Sequence, residues 1–231
     1  MKKNVKYIME IIETKIVPEI LGTITAYNAD CMDIMKQYPD KYFDLAIVDP
    51  PYGLGIDGQK KQICKNPKHN RKEHQRKEWD SKIPDKEYFD QLFRVSKNQV
   101  IWGGNYFTNH INGSKGWIIW DKGQYGLTMS DAELAYSSYD SPTRVIKINR
   151  CELRTQNTIH PTEKPISLYY YLLNRFGFKG CKIIDTHGGS MSHAIAAYDL
   201  GFDLTIIEKD EDYFNEAINR LKWYQRQLKL F

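Results

Sequence analysis

The stretch that most constrains this chain is the apolar run Leu45-Ala46-Ile47-Val48, which closes directly on Asp49-Pro50-Pro51-Tyr52-Gly53. A short aliphatic run of this kind reads as a buried strand. It must stop at the prolines, because proline has no N–H for the ladder and restricts the residue before it. Asp49 is thereby placed at a strand's carboxyl end. In an open α/β sheet ligands bind at that edge, so the carboxylate is set for chemistry on a substrate entering from above the sheet.

A second stretch has the same logic. The strand Cys181-Lys182-Ile183-Ile184 ends at Asp185, the turn Thr186-His187-Gly188-Gly189-Ser190 opens a helix through Ala194, Ile195, Ala197 and Leu200, and the strand Leu204-Thr205-Ile206-Ile207 ends on Glu208. Strand, glycine turn, helix, strand and acid form the nucleotide-binding half of a Rossmann-like fold. The glycines admit close backbone approach, and the acid about 20 residues on accepts hydrogen bonds from ribose hydroxyls.

Around these two stretches the chain reads as further strands and helices. Thr23 to Asn28 is a strand, followed by a short helix from Cys31 with Asp30 suited to its N-cap. Pro84 precedes a helix whose apolar face is Phe89, Leu92, Phe93 and Val95. The strand Gln99-Val100-Ile101-Trp102 ends in Gly103-Gly104-Asn105-Tyr106-Phe107. Three short runs at Trp117–Trp120, Glu133–Tyr136 and Val145–Ile148, with no helix between them, read as an antiparallel hairpin at a sheet edge. His160-Pro161-Thr162-Glu163-Lys164-Pro165 leads into a helix over Ile166 to Phe176, and a last helix runs from the cap Asp210 to roughly Lys229.

Asp49-Pro50-Pro51-Tyr52 resembles motif IV of the amino-methylating DNA methyltransferases, S-adenosylmethionine-dependent enzymes that modify an exocyclic base nitrogen. Asp30-Cys31 resembles their motif III, the segment at His160 to Pro165 their motif X and the turn after Asp185 their motif I. With the Asp49 turn ahead of the Asp185 turn, the order is similar to the circularly permuted β group, and the likeness covers Tyr27 to Leu221. The resemblance implies a single α/β domain over residues 1–231 with a Rossmann-like methyltransferase fold, a mostly parallel seven-stranded sheet and one antiparallel strand.

It also implies a division of labour. Asp49 and the carbonyl of Pro50 accept the two N–H bonds of the target amine, Pro51 stiffens the turn and Tyr52 stacks on the base. S-Adenosylmethionine is the expected cofactor, held by Asp30, Cys31, Thr162, Lys164, Asp185, Gly188, Gly189, Ser190 and Glu208. Asp at the first motif IV position goes mostly with adenine N6, so adenine is the expected target and cytosine N4 the alternative. Asp30 also reads as an ordinary helix cap, and Thr162 and Lys164 as capping groups beside a helix start. One departure stands out: the family has proline and a second glycine where this chain has Thr186 and Met191. The altered motif keeps a catalytically silent, cofactor-free DNA-binding module as a competing reading, and if that second position needs a positive φ, methionine strains the turn. If it is already helical, Met191 merely packs.

Between residues 54 and 84 the chain turns basic, with Lys60, Lys61, Lys65, Lys68, Arg71, Lys72, Arg76 and Lys77. A loop of that length beside a catalytic turn is expected to close on the target base or grip phosphate of double-stranded DNA. Lys60, Lys61, Lys68, Arg71, Lys72 and Arg76 are the phosphate candidates, with Tyr106 a stacking candidate that reads equally well as a core aromatic. Cys64, His69 and His74 lack a second cysteine partner, so no metal is expected. The target-recognition region over 137–159 is minimal or absent. The C-terminal Gln227-Leu228-Lys229-Leu230-Phe231 looks like the peptide by which bacterial replication proteins dock on the sliding clamp, with Gln227, Leu228, Leu230 and Phe231 as contacts. A helix end packed on its own domain is the other reading, and a homodimer is a further possible assembly. A net charge of +4 permits a nucleic-acid partner without demanding one. Four scattered cysteines, no signal-type core after Met1-Lys2-Lys3-Asn4 and no apolar run approaching the ~20 residues of a membrane span lead to the expectation of a cytoplasmic protein.

Overall fold

The computed structural model describes residues 16–58, 73–126, 130–149 and 158–227. Its strands are β1 (Glu19–Leu21), β2 (Ile24–Asn28), β3 (Phe43–Val48), β4 (Ser96–Trp102), β5 (Gly116–Asp121), β6 (Ala132–Ser137), β7 (Arg144–Lys147), β8 (Lys182–Asp185) and β9 (Asp203–Glu208). The helices are α1 (Cys31–Met35), α2 (Lys86–Val95), α3 (Ile166–Phe176), α4 (Ser192–Leu200) and α5 (Glu211–Arg226).

Alternation along the central strands divides the core in two. Leu45, Ile47, Val100, Trp102, Ile183, Leu204 and Ile206 face one side, where they meet Leu168, Leu172, Ala194, Ala197, Ile218 and Leu221 from α3, α4 and α5. Ala46, Val48, Ile101, Ile184 and Ile207 face the other, under Ile34 and Met35 of α1 and Phe89, Leu92 and Val95 of α2. Strands apolar on both faces need helices on both faces, and that is the doubly wound arrangement.

The sheet order is β1-β2-β9-β8-β3-β4-β6-β5-β7. From β2 to β4 every pairing is parallel. The expected mostly parallel α/β sheet is therefore present, with nine strands among the described residues instead of seven. The two extra strands lie at the edges. At one edge β1 folds back antiparallel on β2, and at the other β7 runs parallel to β5. The expected edge hairpin is real but sits differently: β6 inserts between β4 and β5, antiparallel to both. Such an insertion is set by pairing partners far apart in sequence, which local patterning does not encode.

One consequence of this order positions the site. From β3 the chain crosses through α2 to β4 on one side, while from β8 it crosses through α4 to β9 on the other. The crevice between the carboxyl ends of β3 and β8 is thus the switch point of the sheet, where ligands of open α/β folds bind. Among the described residues no helix is long and apolar enough to cross a membrane.

Candidate active site

Asp49 follows β3 and Thr186 to Ser190 follow β8, and both turns open into one cleft of about 1600 Å³. Its walls also carry Asp30, Cys31, Pro50, Pro51, Tyr52, Tyr106, Thr162, Lys164 and Glu208. Residues expected to act on the base and residues expected to hold the cofactor therefore share one space. Asp185 lies beneath it, buried, where it accepts a hydrogen bond from the backbone N–H of His187 and pairs with His193 Nδ1 at 2.9 Å.

At the catalytic end, Asp49 Oδ1 accepts the Tyr52 hydroxyl at 2.6 Å and Oδ2 accepts the Lys164 ammonium. Lys164, only 4% exposed, was expected on the cofactor's carboxylate; here it also lies 3.2 Å from Glu133, whose other oxygen is held by Lys122 at 2.7 Å. Burial raises the Asp49 carboxyl, Lys164 pulls it back, and the negative charge of Glu133 adds to the rise. Burial acts on Glu133 in the same direction, but Lys164 and Lys122 outweigh it and hold its carboxyl down at about 2. Tyr52 lies against the backbone of Gly103 so closely that a Cβ there would come within 2.2 Å of its ring. Gly103 also has φ +70°, so steric clash and backbone conformation both require glycine. Tyr106 stacks on Tyr52 with ring centroids 5.1 Å apart and is 39% exposed, whereas Phe107 is core.

Sequence reasoning missed the group that holds this turn. Asp80, 3% exposed, accepts the backbone N–H groups of Tyr52 (2.8 Å), Gly53 (2.9 Å), Leu54 (3.3 Å) and Ile56 (2.9 Å). The only local signal is an acid beside Trp79 at the end of a basic stretch. The described ends of the 54–84 loop are thus anchored, not free. Lys77 binds Asp210 at 2.6 Å and Asp212 at 2.7 Å, and Trp79 packs on His160. Arg76 is exposed beside buried Asp57, at 3.4 Å. Lys60, Lys61, Lys68, Arg71 and Lys72 lie outside the described residues, as do Cys64 and His69. Among the described residues no group of three His, Cys, Asp or Glu side chains could hold a metal.

At the other end of the cleft the backbone does the shaping. A Cβ on Gly188 would meet Ile206 at 2.9 Å, and Gly189 has φ +50°. Gly189 N–H donates to Glu208 Oε2 at 2.7 Å, and Asp210 N–H to Oε1 at 2.8 Å. Met191 answers the question posed by the missing glycine: it is fully buried with φ +54°, so a methionine does occupy the left-handed region here. Buried Glu163 ties the turn to its surroundings, accepting Ile159 N–H at 3.0 Å, Arg220 at 2.8 Å and the Ser192 hydroxyl at 3.3 Å, while Arg220 also reaches the Ser190 carbonyl at 3.2 Å. Thr162 Oγ1 lies 3.1 Å from His160 Nδ1. Burial lowers His187 to about 4 and His160 to about 3, so both rings are neutral near pH 7.

At the far wall Asp30 does cap α1, taking Met32 N–H at 2.9 Å, and pairs with Lys209 at 2.9 Å. Burial pushes the Cys31 thiol up to about 12, which makes it inert. Gln227 closes α5; Leu228, Leu230 and Phe231 lie outside the described residues, so the clamp peptide is without structural description.

No family model matches the chain. Over 222 residues it is 22% identical to YubD of Escherichia coli (strain K12), a protein provisionally named a methylase, covering 87% of this chain and 92% of that one. Among solved structures it is similar to the M1.HpyAVI–SAM complex, with a TM-score of 0.57 at 17% identity over 85% of this chain and 99% of that one. It is also similar to PvuII DNA methyltransferase, described as cytosine-N4-specific, with a TM-score of 0.57 at 11% identity over 90% of this chain and 88% of that one. The chain has a methyltransferase fold. At these identities the likeness shows the fold.

Proposed function

We propose that this chain transfers a methyl group from S-adenosylmethionine to an exocyclic amino nitrogen of a DNA base, with adenine N6 as the target. The observation that carries this reading is the meeting of the Asp49 turn and the glycine turn in one cleft at the switch point of the sheet. The glycine end fits the cofactor. Gly188, Gly189 and Ser190 line the cleft, Gly188 packing on Ile206 too closely for a side chain, and the Glu208 carboxylate stands at the end of β9 as an acceptor for ribose hydroxyls. Gly188, Gly189, Ser190, Glu208 and Asp30 would hold it there. When bound, it supplies an electrophilic methyl group.

The chain's own residues must make a poor nucleophile react. The lone pair of an exocyclic amine is delocalised into the ring, and Asp49 with the Pro50 carbonyl can accept its two N–H bonds, favouring a tetrahedral nitrogen. Tyr52, held by Asp80 and by close packing on Gly103, would stack on the base in the place that Tyr106 takes in this structure, worth about 1–3 kcal/mol by analogy with single-strand binders. In a duplex the amine is out of reach, so the base must be flipped, which costs a few kcal/mol. The likeness to a cytosine-N4-specific enzyme supports cytosine as the second reading.

The test is transfer of radiolabelled methyl from S-adenosylmethionine to unmethylated duplex DNA, followed by nucleoside analysis, with Asp49→Ala alongside. Label in N6-methyladenine that disappears in the variant is the expected result. Label in N4-methylcytosine would move the reading to the second target, and no label with no cofactor binding would overturn it.

A further inference from the structure

Both oxygens of the Asp49 carboxylate are engaged, one by Tyr52 and one by Lys164. An incoming amine must compete with these partners, and a displaced Lys164 would be a buried ammonium without a counter-charge, a costly state. The structure holds a way out. Glu133 Oε2 is buried, already pairs with Lys164 Nζ at 3.2 Å, and has no hydrogen-bond partner apart from that ammonium. Its sister oxygen is fixed by Lys122, itself buried, so the carboxylate stays ionised and in place. The backbone fixes it as well: Glu133 is registered opposite Trp120 across the β5–β6 pair, and its neighbour Leu134 accepts the N–H of Gly103, the glycine under Tyr52.

We propose that Glu133 is a positioning residue that gives Lys164 a second seat: as an amine arrives at Asp49, the ammonium moves from Asp49 Oδ2 to Glu133 Oε2, freeing a carboxylate oxygen without leaving a buried charge unpaired. This rests on the reading that Asp49 accepts the target amine. Lys122 completes an alternating row of charges, Lys122, Glu133, Lys164, Asp49, whose sum is zero in either seat. The row draws on the residue after β5, on β6, on the segment before α3 and on the residue after β3, so no single sequence motif contains it.

Charge, not shape, is the working property, and pH exposes it. The groups facing Asp49 are Lys164, Glu133 and Tyr52, with Tyr88 of α2 and Tyr169 of α3 behind them, both held neutral by burial well above the usual phenol range. Only Glu133 among them adds a negative charge, and that charge raises the Asp49 carboxyl.

The experiment compares wild type, Glu133→Gln and Glu133→Asp in single-turnover methyl transfer across pH, with cofactor and DNA affinities measured separately. In Glu133→Gln the rate should fall about tenfold or more, with both affinities within about threefold. The acid limb of its rate profile should move down by about one pH unit. Glu133→Asp, which keeps the charge, should leave that limb in place and recover part of the rate. A Glu133→Gln enzyme as fast as wild type at every pH would overturn the proposal alone, as would a loss of rate with an unmoved acid limb. A wild-type chain that transfers no methyl group would overturn this proposal together with the function it rests on.

Discussion

The two turns that meet in the cleft follow parallel, hydrogen-bonded strands, and they are held in opposite ways. After β3, buried side chains fix the turn: Asp80 collects four amide N–H groups, and Tyr52 and Lys164 lock the Asp49 carboxylate. After β8, the shape lies in the backbone, with Gly188 at a close approach to Ile206, Gly189 and Met191 in the left-handed region, and Glu163, Arg220 and Glu208 tying carbonyls and N–H groups from outside. Residues 49–53 are thus rigid because charges are satisfied, while residues 186–191 are rigid because few conformations fit. The proposed roles match that difference. A base must be held to within fractions of an ångström for reaction, whereas a cofactor needs close backbone contact over a long surface.

The largest expected effect tests the first half of that comparison. Asp80→Ala leaves four N–H groups without their charged acceptor, and the fold should lose about 3 kcal/mol in urea unfolding, less than the sum of the bonds because water enters. Methyl transfer should fall about 100-fold through a misplaced Tyr52. Cofactor affinity, set at the other turn, should stay within about threefold. Asp80→Asn should fall between, because its one carbonyl oxygen can serve Tyr52 and Gly53 while its amide faces the N–H groups of Leu54 and Ile56. An equal loss of cofactor binding would show that the two turns are mechanically one unit.

What the sequence made legible follows the same line. Both turns could be located, because an apolar run closing on Asp49-Pro50-Pro51 or on Asp185 with two glycines is a local signal, and the parallel core rests on such runs. What holds the turns could not be read. Asp80 lies 24 to 28 residues from the amides it binds, Lys164 is 115 residues from Asp49, and Arg220 is 57 from Glu163. None of these contacts leaves a periodic trace. The edge strand β1 escaped for a related reason: it is short and one-sided, with Ile20 exposed, so it shows no buried run, whereas β7 was legible as a strand and only its parallel pairing with β5 was not. The left-handed φ at Met191 was legible only as a question, since a departure from glycine does not say which conformation the replacement adopts.

Acid should separate the two turns. His187 lies in the glycine turn and His160 packs against Gly189, while the catalytic turn carries no histidine. Both are held below their ordinary 6.5, at about 4 and about 3, chiefly by burial. The unfolded chain therefore binds protons that the native fold refuses. The stability they contribute is complete above about pH 6.5 and is lost as pH falls toward 4. Each group can contribute at most about 1.4 kcal/mol per pH unit, and since both rings are partly solvated a joint loss of about 2 kcal/mol by pH 5 is expected. Unfolding midpoints taken at about pH 7.5 and 5 would measure it, and His187→Gln should flatten the slope. A slope unchanged in that variant would assign the acid sensitivity elsewhere.

The smallest effect concerns Met191, where the two kinds of rigidity compete at one residue. Left-handed backbone at a residue with a side chain costs about 1–2 kcal/mol, which Met191→Gly would relieve. The same change removes a fully buried methionine, worth about 1.5–3 kcal/mol, and adds backbone freedom to the unfolded chain. Packing should win narrowly, leaving the glycine variant about 1 kcal/mol less stable than the natural chain by denaturant unfolding. A variant more stable than the parent would mean that strain outweighs packing and that the turn after β8 stores energy. In that case the contrast sharpens: one turn would be held by satisfied charges, and the other held under strain by the core beneath it.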